Sequence, residues 1–394
     1  MFRRYASWMH RLVLNWNSGI SVEVFRLVLT EGVVCPGLRD LELRANFDTL
    51  PFYRLLVSPK LTSLSLEYST FFTESLEEEL SIIQPVIMGL DTSPLRKLRL
   101  QWWGMPTEPN RQMESVASSA VLRCGSALEK LAIYSPLSDV AVQHIMQLPN
   151  LDTWYAVSGP PRTPDLQISD IFPRLEHLSL ASQESLEWLT LFTAISRHIP
   201  SGQNSHSPPG RGAVQRLGRL VISLRVPIDA VLMSPIMQFR GLISLKLTST
   251  CSLMRGCAFR LTDDNIVEIA TALPNLEVAI LGLVCSANSC QTTVASLVSF
   301  YTCCRDSERL EIHFNTINLR NDLESASADP RLDSLPLLRT RDTFYLSLSD
   351  APYTISEDDV VLVLKSFRGI FSSPIHIVGI NASWKELNLK LQEI

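Results

Sequence analysis

Residues 38–44 read LRDLELR, and the same spacing of aliphatic residues returns at 61–67 (LTSLSLE), 95–101 (LRKLRLQ), 128–134 (LEKLAIY), 175–181 (LEHLSLA), 217–223 (LGRLVIS) and 242–248 (LISLKLT). Weaker copies are Met9/Leu12/Leu14, Leu151/Trp154/Ala156, Leu276/Ala279/Leu281, the half-match Leu310/Ile312, and Leu346/Leu348. Positions four and six of each copy are two residues apart. A strand turns alternate side chains to opposite faces, so these two point one way and positions three, five and seven point the other. Strands of this kind stacked in parallel bury one leucine row and leave one polar row facing outward.

The copies start 23 residues apart at the closest, Leu38 to Leu61, and 42 at the widest, Leu175 to Leu217. Regular leucine-rich repeats keep to about 20–29 residues, so this repeat is irregular. Between the strands the hydrophobic period changes from two to about 3.6, as a helical return requires. In LTDDNIVEIATALPNLE, Thr262 is placed to cap a helix and Asp263 and Asp264 suit its positive end. Ile266, Ile269, Ala270 and Leu273 form one apolar stripe, and Pro274 stops it. The same design returns in LSDVAVQHIMQLPNL, in ISEDDVVLVLKSF with Ser356 as cap, and, around an internal Pro85, in TESLEEELSIIQPVIMGL.

Strand, turn, capped helix, proline and strand again make a right-handed βα unit. The predicted fold is therefore α/β, an irregular leucine-rich-repeat solenoid with a curved parallel sheet on the concave side and helices on the convex side. It forms a single array over residues 1–394 with about 11–13 repeats. Residues 199–213, IPSGQNSHSPPGRGA, carry no apolar period and read as a flexible insertion rich in Pro, Gly and Ser; residues 321–334 read as a loop.

The chain has 394 residues, 46% hydrophobic and 19% charged, too apolar for disorder and ample for a continuous core. Its 35 basic and 40 acidic residues give a net charge of −5 without long blocks of either sign, so neither nucleic acid nor a membrane surface is an expected partner. The opening MFRRYASWMHRLVLNW is broken by Arg11 and Asn15 before a signal-peptide core develops, which places the chain in the cytoplasm or nucleus. Eight cysteines without a CxxC pair, and seven histidines without ligand spacing, imply reduced thiols and no metal site. No nucleophile elbow, phosphate loop, HExxH or dinucleotide fingerprint is present, so no catalytic residue or cofactor is assigned and the expectation is a binding module, not an enzyme.

The register assigns the contact residues instead. The outward row should display Asp40, Glu42, Arg44, Ser63, Ser65, Glu67, Lys97, Arg99, Gln101, Lys130, Tyr134, Tyr155, His177, Ser179, Arg219, Ser244, Lys246, Thr248, Arg309, Glu311 and His313. Trp102 and Trp103 follow the leucines of their copy directly and are further candidates, because an exposed aromatic at a strand end makes a strong anchor. The row is acidic at its start and basic around Lys97, Arg99 and Lys130, a mixture suited to a protein or peptide partner.

In their order, FRRYASWMHRLVL, SVEVFRLVL, PGLRDLEL, PFYRLLVSPKLTSLSL, LSDVAVQHIMQLPNL and LTDDNIVEIATALPNLEVAILG resemble the leucine-rich-repeat region of fungal, mushroom-type F-box proteins over about residues 2–390. The resemblance implies the substrate-recognition part of a cullin-type ubiquitin ligase subunit. In that family an N-terminal F-box docks a Skp-type adaptor while the repeats hold the target. The sequence opens at the first repeat without an LPxE-like segment, so the expectation is the repeat region lacking the F-box itself, with adaptor and cullin as partners only if an F-box lies upstream. The alternative is a stand-alone interaction scaffold with no ligase link.

Overall fold

In the computed structural model, the residues described are 8–15, 35–45, 56–69, 84, 87, 90, 94–103, 111–157, 172–182, 192–193, 217–224, 227–249, 258–282, 291–304, 306–312, 319–328, 344–348, 366 and 375–379. The insertion expected at 199–213 and the helix expected from Ser356 lie outside them, apart from Ser366. The helix expected within residues 73–90 also lies outside them, apart from Gln84, Ile87 and Leu90. The chain divides into two compact units, Met1–Ala181 with Ser205–Val214, and Ser182–Asn204 with Gln215–Ile394.

The first unit holds strands β1 (Arg11–Leu14), β2 (Asp40–Ala45), β3 (Ser63–Ser69), β4 (Lys97–Trp103), β5 (Lys130–Ile133), β6 (Thr153–Ala156) and β7 (His177–Ser182), with helices α1 (Arg111–Leu122) and α2 (Asp139–Gln147). Each strand pairs in parallel with the next in chain order, and the pairing keeps leucine beside leucine: Leu41↔Leu64, Leu64↔Leu98, Leu98↔Leu131, Leu131↔Trp154 and Trp154↔Leu178. A slip by one residue would turn every leucine to water, so the repeat itself fixes the register.

The second unit holds β8 (Arg219–Leu224), β9 (Ser244–Ser249), β10 (Val278–Leu281), β11 (Arg309–Ile312), β12 (Phe344–Leu348) and β13 (Ile375–Gly379). Its helices are α3 (Ala230–Ile236), α4 (Asp263–Ala272), α5 (Ala295–Cys303) and α6 (Leu319–Ser327). The strands are again parallel and in chain order, with Leu220↔Leu245, Ala279↔Leu245, Ala279↔Leu310 and Leu310↔Leu346 in register. Both units are thus α/β with wholly parallel sheets. Parallel pairing requires a crossover between consecutive strands, and the helices supply it at several of the connections.

Two backbone motifs recur at almost every described repeat. The residue at position one donates to the carbonyl three residues back: Leu38 to Cys35, Leu61 to Ser58, Leu128 to Gly125, Leu151 to Leu148, Leu175 to Phe172, Leu242 to Phe239, Leu276 to Leu273 and Ser307 to Cys304. Five of these turns carry proline second, at Pro36, Pro59, Pro149, Pro173 and Pro274, where its fixed φ favours the bend and its missing N–H costs no ladder bond. Pro274 therefore does more than end a helix. It starts the turn into the next strand.

The second motif is one carbonyl serving two amides. The carbonyl of Arg39 accepts from Thr62 and Ser63, that of Thr62 from Arg96 and Lys97, that of Arg96 from Glu129 and Lys130, and that of Glu129 from Asp152 and Thr153. Gly218, Ile243 and Glu277 repeat this in the second unit. Asn150 and Asn275, third in their turns, add side-chain bonds from Nδ2 to the carbonyls of Ser126 (2.8 Å) and Arg240 (3.2 Å) in the preceding repeat.

The helices follow the expected physics. Thr262 and Asn265 form a reciprocal capping box at α4, whose stripe Ile266, Ile269, Ala270 and Leu273 is fully buried. Ser138 caps α2 by accepting from the amide of Ala141, and Asp229 caps α3 by accepting from Val231 and Leu232. One expectation is corrected: residues 321–327, read as part of a loop, belong to α6. That helix is polar but for Leu319, Leu323 and Ala326, and Leu323 is wholly buried. Leu319, Leu323 and Ala326 recur at helical spacing, but the polar residues around them read as a loop.

Candidate functional site

The leucine rows leave the outward positions free to vary. In the first unit these positions divide into two regions. Over β1–β4 the charges engage one another: Arg11 lies 4.0 Å from Glu42, Arg44 lies 3.5 Å from Glu42 and 3.2 Å from Glu67, and Arg99 reaches Glu67 from the other side at 3.2 Å. Arg99 also donates to Gln101 Oε1 at 2.6 Å and lies over the Tyr134 ring, 5.7 Å from its centroid.

This arrangement corrects the expectation that the whole row is exposed. Glu67 is only 6% exposed and Gln101 7%, although both have outward parity. In strand register Glu67 sits between Arg44 and Gln101. The long side chains of Arg44 and Arg99 close over it, with apolar stems covering what their charged heads bond. Glu311 is likewise 7% exposed, engaged by Arg309 Nε at 2.7 Å and by the same guanidinium's Nη2. Alternation assigns a side chain to a face; it does not say what the neighbours lay over it.

Over β4–β7 the outward positions carry Lys97, Arg99 and Lys130 and no carboxylate. Lys97 and Lys130 are exposed and adjacent in register, Lys97↔Lys130, and neither has an ion-pair partner among the described residues. Tyr155, on β6, is 41% exposed, and Val157 just beyond that strand is exposed too. His177 and Ser179 on β7 are half-buried. Three carboxylates border this region one residue ahead of the outward row. Glu129 is bonded to Arg96 at 3.4 Å, Asp152 accepts from Thr153 Oγ1, and Glu176 is exposed.

The second unit carries a quieter row. Arg219 and Arg309 are exposed, Lys246 half-buried, and Ser223 and Thr248 hydrogen-bond each other across β8 and β9 at 2.7 Å. Val221 on β8 and Val278 and Ile280 on β10 take the remaining places, with Ile280 buried. Asp40, Glu42 and Arg44 stand on β2 as expected, and Trp102 and Trp103 end β4; the side chains of the two tryptophans, and all of His313, lie outside the described residues.

Elsewhere the polar groups knit the helices together. Asp263 at the start of α4 accepts from the Thr293 amide and hydroxyl, both at 2.7 Å, and from the Ser296 hydroxyl, tying α4 to the start of α5. Desolvation, helped by the Asp263 charge, raises the Asp322 carboxyl above its usual range. Among the described cysteines, Cys35, Cys124 and Cys304 are buried and Cys303 partly so. Burial pushes the Cys124 thiol up to about 12. Its neutral form is favoured by folding, so the contribution is complete below pH 9 and is lost as the pH rises from there toward 12. Among the described residues no cluster of His, Cys, Asp and Glu could hold a metal, and no helix is long and apolar enough to cross a membrane. No protein-family model matches the chain, and no curated protein matches it.

Proposed function

We propose that this chain is a leucine-rich-repeat array whose outward sheet face binds a protein or peptide, and that it is not an enzyme. The observation that carries the reading is the contrast within single strands. Leu98, Leu100, Leu131 and Ile133 are buried to 2% exposure or less, while Lys97, Arg99 and Lys130 stand exposed between them in rows fixed by the pairing. A scaffold that keeps one parity apolar can change the other without cost to the fold, which is how repeat surfaces acquire partners. Tyr134 and Tyr155 add the amphipathic aromatic area that interfaces favour.

The likeness to fungal F-box proteins refines this to the target-recognition part of a ubiquitin ligase subunit. Affinity purification of the native gene product tests that refinement. Recovery of a Skp-type adaptor and a cullin supports it. Recovery of partners without either, from a transcript verified to start at Met1, leaves a stand-alone scaffold instead. The binding reading is tested by combining Lys97→Glu with Tyr155→Ala: the recovered partners should be lost while the melting temperature holds, and their retention would overturn the assignment of this face.

A further inference from the structure

We infer that the outward face of β4–β7 takes an acidic peptide segment with apolar residues at alternate positions, laid across the strands. The inference rests on the binding reading above and names the chemistry of its partner.

Charge comes first. Lys97 and Lys130 occupy the same outward position on neighbouring strands, so two ammonium groups stand roughly 5 Å apart at their backbones. Like charges in such a pair oppose each other, and no carboxylate of the outward row relieves them on β4–β7. The outward carboxylates stand on the strands before β4: Asp40 is in line with Lys97 but two strands away, and Glu67 is already shared by Arg44 and Arg99. Glu129, Asp152 and Glu176 lie one residue ahead of the row, where they border the cationic strip on one side and confine an anion to the other. The strip is basic in a chain of net charge −5, so a preference for acidic ligands cannot come from the overall charge.

Next to the strip is an apolar margin. Tyr155 faces outward on β6, two residues further along its strand than the lysine position; Tyr134 and Val157 lie two residues further again, adjacent to each other in the extended register. The Arg99 guanidinium on the Tyr134 ring joins the margin to the strip. A chain running across the strands in extended form sends successive side chains to its two sides. One side meets the ammonium groups and the other the tyrosines, which calls for carboxylates alternating with apolar residues. Three inter-strand steps at roughly 4.8 Å, from β4 to β7, correspond to about four extended residues.

The test is selection of phage-displayed random octapeptides on the full chain, followed by fluorescence anisotropy of the selected peptides on the parent and on the Lys97→Glu/Lys130→Glu double variant. Both positions are exposed, so thermal melts of the variant should match the parent. The inference predicts peptides rich in Asp and Glu at alternate positions, weakened by about tenfold or more in the double variant and by added salt. Neutral or basic peptides that still lose binding in a Tyr155→Ala variant would overturn the acidic chemistry and leave the binding face standing. Peptides indifferent to all three substitutions, or no selected peptide at all, would overturn both.

Discussion

The outward rows of the two units rest on nearly the same inward rows and yet do different things with their charges. In the first unit, Arg11, Glu42, Arg44, Glu67 and Arg99 form a chain of ion pairs that ends beside two lysines with no ion-pair partner among the described residues. In the second, the charge of Glu311 is answered within its own strand by Arg309, and Ser223 and Thr248 answer each other. Beneath both, the leucines of positions one, four and six are buried alike. The scaffold is the constant element and the face the variable one, and the pair of lysines adjacent in register, Lys97 and Lys130, lies in the first unit.

If the inward rows are equivalent, they should fail equally. Leu131→Asp in the first unit and Leu245→Asp in the second are each expected to cost about 4 kcal/mol or more, since each loses a buried leucine and leaves a carboxylate in its place. Urea denaturation of the two variants measures this, and a mild effect in either unit would break the equivalence. Glu67→Ala should cost less, about 1–3 kcal/mol, because the two arginine side chains stay partly exposed while Arg44 Nε, buried beside Glu67, loses the carboxylate it faces. Lys130→Ala, which removes an unanswered charge, should leave the melting temperature unchanged or raise it. Thr262→Ala at the capping box of α4 is expected to cost about 1 kcal/mol in the same titration.

The inward register of β1–β12 was legible in the sequence, because a period of two with leucine at fixed places admits one pairing, whereas β13, IHIVG, carries no leucine copy and was not legible. Even the weak copies obey it: Trp154 and Ala156 fill the leucine places of β6, and Ala279 and Leu281 those of β10. The capping of α2 and α4 was legible for the same reason, since Ser138 and Thr262 directly precede their apolar stripes. Helix α1 carries a readable signal that the leucine pattern overshadowed, with Met113, Val116, Ala117, Ala120 and Val121 all buried at helical spacing. Helix α6 was not legible although Leu319, Leu323 and Ala326 keep helical spacing, because the polar residues around them read as a loop.

The outward face was legible as a list of residues and not as an electrostatic arrangement. Glu67 and Lys97 share an outward parity, and only the third dimension shows that two arginines close over one while the other stands exposed. Cross-strand neighbours lie 23 or more residues apart in sequence, as Glu67 does from Arg44, so no local pattern reports their pairing. The same holds for Asp263, whose bonds to Thr293 and Ser296 span about a whole repeat.

Everything proposed for the face depends on the division of each strand into an inward and an outward side, and β7 offers the sharpest test because the two sides meet in adjacent residues. Leu178 is 1% exposed, whereas Ser179 beside it is half-buried and pairs in register with Tyr155. Thermal melts of Leu178→Asp and Ser179→Asp, made side by side, should show Leu178→Asp strongly destabilised and Ser179→Asp within about 0.5 kcal/mol of the parent. Two melts that coincide would contradict the register, and with it the binding face.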